Sequence, residues 1–376
     1  MKIFFNIAYF YPSQKGGPAN SIYWLAKALT SNGIQCTIVA TDTGIKVNTV
    51  PIEQWIQTEA GSVIYKKEIN YTFWPKLIWE SLFQIRKSDI IHLTSLFAFP
   101  SLIVGTVSVI MRKKIIWSTR GELNVQALLY SNWKKRPVLF LVRNLLSKNV
   151  TFHSTSPEET KHIQDVFGIY IKVIEIPNLM DLPVNIQEKA AKENPYSLYI
   201  GRIHPIKALG QLINALSISS GFIESTHTFI IAGNFENEYG TQLQNLIKSL
   251  NLQSKISFIG QVEGEEKQHL YANAYFTFLP SHTENFGNVV VESLAQGTPV
   301  VASTGTPWEI LPEYNAGYWV KNSTSSLSET IDSILALTPE KYSSMRQNAR
   351  QLCENKFDIN KNIDKWINIY STLLHG

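Results

Sequence analysis

Cysteine is nearly absent from this 376-residue chain, with only Cys36 and Cys353 present. Two thiols so far apart form no disulfide framework and fit no metal spacing, which points to a reducing, cytoplasmic setting. No G-x-G-x-x-G follows the first apolar run, so a dinucleotide dehydrogenase is disfavoured. No G-x-x-x-x-G-K-[ST] occurs, which removes a P-loop NTPase. Internal repeats and low-complexity tracts are missing too. The opening MKIFFNIAYFYPSQKGG has a short apolar run interrupted by Asn6 and lacks a small-residue cleavage site. It reads as a first strand, Lys2–Tyr9, and not as a signal peptide. Ile90–Met111 has no formal charge and nearly the length of a bilayer span. His92, Thr94, Pro100, Ser101 and Gly105 interrupt it, so it is expected to be a strand Ile90–Thr94, a loop and a helix Pro100–Lys113.

What is present describes a globular protein of 44% hydrophobic and 17% charged residues. The length exceeds one compact core and predicts two domains, 1–180 and 181–356, with Leu179–Asn194 as the connection. The net charge of +4 is unevenly spread. Residues 1–180 carry 20 Lys+Arg against 11 Asp+Glu, and residues 181–376 carry 14 against 19. A basic first half suggests an anionic partner, but no nucleic-acid motif accompanies it. Trp133–Lys148 is basic and apolar, with Pro137 at a plausible helix start. It reads either as a membrane-surface helix or as a core helix with a basic flank.

The most informative stretch is Leu279–Ser303, LPSHTENFGNVVVESLAQGTPVVAS. Strand, polar loop, helix from about Asn288 and second strand make one βαβ unit of a parallel sheet. Asn285, Phe286, Gly287, Asn288 and Val289 lie at the helix start, a ready anion site that a phosphate approaches closely at glycine. Glu284 and Glu292 bracket it. Helical side chains lean toward the N-terminus, so Glu292 is expected to point back at the same pocket and to suit vicinal hydroxyls.

The E-x7-E spacing of ENFGNVVVE with the following GTPVVAS resembles the donor-site signature of retaining family 4 glycosyltransferases of the GT-B fold. That resemblance implies two Rossmann-like lobes facing across a cleft, with a C-terminal helix, Phe357–Leu374, crossing back to the first. It implies a nucleoside-diphosphate sugar as donor and no cofactor. The family's Gly-Arg and following Lys-Gly are similar to Gly201-Arg202 and Lys207, although Ala208 stands where the family has its second glycine. Arg202 and Lys207 would then grip the diphosphate, Glu292 the ribose and Glu284 the sugar. Gly233 and backbone near Val262 would line the nucleotide, and Gly16-Gly17 would lie beside the diphosphate and acceptor.

DIIHLTSLFAF is similar to family segments with an H-x-H pair. Here Thr94 takes the second histidine's place, so His92 is either at the donor sugar or a hydrogen-bonded structural residue. Arg120-Gly-Glu-Leu resembles a loop of transferases that build surface polysaccharides, making Arg120, Glu122 and Thr94 acceptor-side candidates. Asp-x-Asp, the pair many sugar transferases use to hold a divalent cation, is missing, so no metal is expected. The whole predicts a hexosyltransferase acting on a glycan or lipid-diphosphate-linked hydroxyl in polysaccharide biosynthesis. It would be cytoplasmic, peripheral on an anionic membrane surface, and without nucleic acid. A nucleotide-sugar epimerase of the same fold and a non-catalytic two-lobe sugar-binding protein are the alternatives.

Overall fold

The computed structural model describes residues 1–13, 17–46, 48–68, 73–129, 132–183 and 195–375. The chain forms two compact units, one of Met1–Asp181 with Asp358–Gly376 and the other of Leu182–Phe357. Of the expected connection Leu179–Asn194, residues 184–194 lie outside the described residues.

The first unit has eight strands: β1 (Lys2–Asn6), β2 (Gln35–Thr41), β3 (Trp55–Thr58), β4 (Gly61–Lys66), β5 (Ile90–Thr94), β6 (Lys114–Ser118), β7 (Thr151–Ser154) and β8 (Val173–Glu175). They lie in the order β3-β4-β2-β1-β5-β6-β7-β8. Strands covered on both faces need apolar residues at consecutive positions. In β1, Ile3 and Phe5 pack with the helices Gly17–Ser31 and Ile359–His375, while Phe4 joins the opposite core under Pro75–Lys87 and Phe99–Ile110. All pairings are parallel except β3 with β4. That hairpin was not legible within Thr41–Trp74, because its short edge strand, Trp55–Thr58, carries too few residues to show alternation. The Ile90–Met111 run divides into β5 and the helix Phe99–Ile110, and no helix among the described residues is long and apolar enough to cross a membrane.

The second unit is a wholly parallel sheet of β9 (Tyr196–Ile200), β10 (Thr228–Ala232), β11 (Ile256–Gly260), β12 (Thr277–Leu279), β13 (Val300–Ser303) and β14 (Gly317–Val320). Its order is β11-β10-β9-β12-β13-β14, with cores on both faces. Strand order reverses between β9 and β12. Loops leaving those two strands diverge there and open a crevice at their carboxyl ends, the place where open α/β sheets bind ligands.

Candidate active site

Every expected donor-side residue of the second unit falls at the carboxyl end of a strand or on the helix that follows it. Gly201 and Arg202 leave β9, Gly233 leaves β10, Val262 follows β11, and Glu284–Asn288 follow β12. Adjacent turns are tied in series, Gly201 N–H donating to Ala232 O at 3.0 Å and Gly233 N–H to Gly260 O at 2.7 Å. Gly233 must be glycine, because a Cβ there would collide with the Gly201 carbonyl oxygen. Val262 is buried with Ile200 and Ala232 in one of the unit's cores.

Across the reversal point, His282 N–H donates to Ile206 O at 2.8 Å, fixing the β12 loop against the β9 loop. The Lys207 ammonium and the Glu284 carboxylate meet in an ion pair, both largely shielded from solvent. The sequence reads as a helix from Lys207 to Ser217, and the structure starts it two residues later. Lys207 ends a 3-10 turn, Pro205–Lys207, and the α-helix starts at Leu209. The joint is Ala208, left-handed at φ 53° and ψ 32°, a conformation that a Cβ disfavours and glycine accepts. The family's glycine therefore has a physical reason. Ala208→Gly should stabilise the chain by about 0.5–1 kcal/mol, after the flexibility glycine adds to the unfolded state is deducted. A urea midpoint unchanged or lowered would contradict this.

The helix Asn288–Ala295 begins as expected, with Gly287 at φ 82° preceding it. A Cβ on Gly287 would sit 2.8 Å from Leu279 Cδ2 and 3.3 Å from Glu284 Cγ, so conformation and space both require glycine. Phe286 is buried against Trp308 and Phe357, and its carbonyl accepts from Trp308 Nε1, anchoring the loop from below. Glu292 is 6% exposed. Its Oε2 meets Lys267 Nζ at 2.7 Å and accepts from Tyr271 O–H at 3.0 Å. Burial, and then the Glu292 carboxylate, push the Tyr271 phenol far above its ordinary range, so it stays a donor. Sequence reasoning missed both partners. They lie on the helix Gly264–Asn273, whose signal was an acidic first turn, Glu265 and Glu266, behind a left-handed glycine.

The first-unit candidates are placed less favourably for chemistry. Gly17 opens its helix, and Gly16 lies outside the described residues. His92 is wholly buried, with Tyr370 O at 2.7 Å from Nδ1 and Ser118 Oγ at 2.9 Å from Nε2. Ser118 Oγ continues to His153 Nδ1 at 2.8 Å, and His153 Nε2 ends on Ile176 O at 2.9 Å. The carbonyl only accepts, so the network assigns every proton: Tyr370 donates to His92, His92 to Ser118, Ser118 to His153, and His153 to Ile176. Burial holds His92 well below its ordinary pKa and lowers His153 to about 4. With both ring nitrogens used inside the core, His92 has the structural position, and it takes no part in the mechanism proposed below.

Thr94 is buried, and its carbonyl accepts from Ser101 Oγ. Glu122 accepts from Ser95 Oγ and from the N–H groups of Leu96 and Phe97, bracing the loop after β5. Burial raises its carboxyl, the hydrogen bonds opposing. Arg120 donates Nη1–H to Asn178 Oδ1 at 2.7 Å, and burial lowers its guanidinium to about 10. These three hold loops at the strand ends.

Two Rossmann-like units, one with a cationic and glycine-lined crevice at its strand reversal, define an α/β protein of the GT-B type. Family models match in tandem, "Glycosyltransferase Family 4" over residues 15–183 and "Glycosyl transferases group 1" over 184–352, so the chain belongs to the group 1, family 4 glycosyltransferases. A curated relative is the O-antigen chain mannosyltransferase RfbU of Salmonella typhimurium, 33% identical over 116 residues. That match covers 31% of each chain, so this chain spans about a third of that relative's length. Among solved structures, sucrose-phosphate synthase from Thermosynechococcus elongatus superposes with a TM-score of 0.79 at 19% identity, over 99% of this chain and 98% of that one. Anabaena Alr3699/HepE in complex with UDP-glucose gives 0.76 at 18%, over 98% and 100%. At such identities these two speak for the fold alone.

Proposed function

We propose that this chain is a retaining hexosyltransferase that moves a sugar from a nucleoside diphosphate to a hydroxyl of a glycan or lipid-linked acceptor, in polysaccharide biosynthesis. The observation that carries the reading is the meeting of Lys207, Glu284 and the Gly287 helix start at the β9/β12 reversal. The activity named for RfbU, an O-antigen chain mannosyltransferase, supports a hexose as the group transferred and a glycan as the acceptor.

The donor diphosphate sits on the Gly287–Val289 backbone, where a helix start favours negative charge. Arg202 and Lys207 hold it from the β9 side. The diphosphate competes with Glu284 for Lys207, and the released carboxylate turns to the hydroxyls of the sugar. Glu292 accepts from the ribose hydroxyls through Oε1, its Oε2 being held by Lys267 and Tyr271. As the anomeric bond breaks, charge accumulates on the diphosphate and is compensated there. The acceptor oxygen attacks on the face that the diphosphate leaves, its proton passing to the departing phosphate oxygen, so configuration is retained.

Binding tests the ribose assignment. Glu292→Ala should weaken a nucleoside diphosphate by about 1.5–3 kcal/mol per charged hydrogen bond lost. The matched 2′,3′-dideoxy nucleotide should be nearly indifferent to the substitution. Lys267→Met should show the same split to a smaller extent, since it acts through Glu292. Equal losses for both ligands would mean that Glu292 serves the helix and not the ribose. Conversion of donor alone into a new sugar nucleotide would instead favour an epimerase.

A further inference from the structure

The segment Trp133–Lys148 was expected to be either a membrane-surface helix or a core helix with a basic flank, and the structure divides it. Val142 and Leu146 are buried against the first unit's sheet. Val125, Leu129, Trp133, Phe140 and Leu145 stand 67, 70, 74, 72 and 62% exposed. Val125 and Leu129 are one turn apart on the helix Val125–Leu129, and Trp133 and Phe140 are two turns apart on Asn132–Leu141. Each pair therefore shares a helical face. Pro137 is inside the second helix and not at its start, and the helix runs on into a π-turn, Val142–Leu146. A π-turn is wound more widely than an α-turn, so the outward set at 133–140 and the inward set at 142–146 belong to differently phased turns.

The charge around this patch has one sign. From Leu123 to Pro157 the chain has no acidic residue, while Lys134, Lys135, Arg136, Arg143 and Lys148 all fall within it. Lys134, Arg136, Arg143 and Lys148 are exposed beside the apolar side chains, and the Lys134 ammonium lies 5.2 Å from the centre of the Trp133 ring. Large aromatic and aliphatic groups ringed by cations suit a surface that is apolar within and anionic outside. A second copy of this chain does not meet that description, because a two-fold contact would set five cations against five cations.

We infer that the outer faces of Val125–Leu129 and Trp133–Lys148 form a membrane-docking surface, inserting Trp133, Phe140 and Leu129 among the acyl chains of a bilayer with anionic headgroups while Lys134, Arg136, Arg143 and Lys148 hold the phosphates. The inference stands apart from sugar transfer, and either can fail without the other.

Co-sedimentation of the full chain with vesicles tests it, comparing pure phosphatidylcholine with phosphatidylcholine containing one-third phosphatidylglycerol, at low and high salt. Binding is expected to be about tenfold or more stronger to the anionic vesicles at low salt and to weaken as salt rises. Trp133→Ser/Phe140→Ser should weaken it about tenfold, and Lys134→Glu/Arg136→Glu should abolish the preference for anionic lipid. These side chains are exposed, so parent-like melting of both variants is expected and checks their folding. Absence of vesicle binding at low salt, or undiminished binding by the serine variant, overturns the inference. So does a self-association of the parent that the serine variant loses while vesicles stay unbound.

Discussion

Lys207→Ala should lower turnover about 10²–10³-fold, while transfer by the parent survives an excess of chelator. The size is that of losing one preorganised group aimed at charge that develops in the transition state. Here the loss has two parts. The cation facing the leaving diphosphate is removed, and Glu284, the partner it neutralises, is left as an unopposed carboxylate in the same crevice. Both act on the breaking bond more than on ground-state binding, so the effect should fall mainly on kcat. Glu284→Gln removes the carboxylate charge and separates the two parts, since in that background Lys207→Ala should cost less. The chelator result follows from the supply of positive potential. On the proposed reading, Arg202, Lys207 and the Gly287 helix start supply the positive charge that a divalent ion would otherwise bring. Activity abolished by chelator and restored by magnesium or manganese would overturn the metal-independent account. Undiminished kcat in Lys207→Ala would overturn the site.

Acid should destabilise the first unit through its histidine chain. His92 and His153 are neutral in the fold, with pKa values held down chiefly by burial, His153 to about 4. An unfolded histidine titrates near 6.5. Their contribution is therefore complete above about pH 6.5 and is lost progressively as pH falls toward the folded values, because the unfolded chain takes up protons that the folded chain refuses. At 1.36 kcal/mol per unit, His153 alone accounts for about 3 kcal/mol between pH 6.5 and 4. His92 adds to this over the same range. Urea midpoints measured from pH 7 to 4 read the slope. His153→Gln keeps an amide for Ser118 and Ile176 but cannot titrate, and comparison with the parent cancels the background from ordinary carboxylates. A slope identical in the two proteins would contradict the assignment.

The second unit was legible where chemistry and local structure use the same residues. Asn288 as helix start and the strand that follows within Leu279–Ser303 could be placed because a turn glycine, a buried parallel strand and a helix start leave short, local signatures. Pairings between distant segments left none. Lys207 and Glu284 lie 77 residues apart and meet only because the sheet reverses between β9 and β12. Read alone, Lys207 was a cation for phosphate and Glu284 an acceptor for sugar, and their mutual neutralisation was hidden. The partners of Glu292 were hidden for the same reason. His92 shows the reverse case: a chemically suggestive residue at a strand end whose two nitrogens are consumed by Tyr370, from the far end of the chain, and by Ser118. Pro137 misled because proline usually marks a helix's first turn, whereas here it lies inside Asn132–Leu141.

The helix Ile359–His375 gives the two units opposite relations to the order of synthesis. It supplies Ile363, Trp366 and Tyr370 to the core formed by Ile3, Phe5 and Ile38, yet the ribosome makes it only after all of Leu182–Phe357. The second unit is one continuous stretch and has every residue it needs while the chain is still growing. The first unit, begun earlier, has the sheet face under Ile359–His375 covered only by Gly17–Ser31 until the end, with His92 lacking Tyr370 and His153 lacking the Trp366 ring that lies 4.7 Å from it. The usual amino-to-carboxyl order of domain completion is thereby inverted. A nascent chain carries its finished second unit together with a half-covered apolar sheet, and that sheet is where chaperones would be needed.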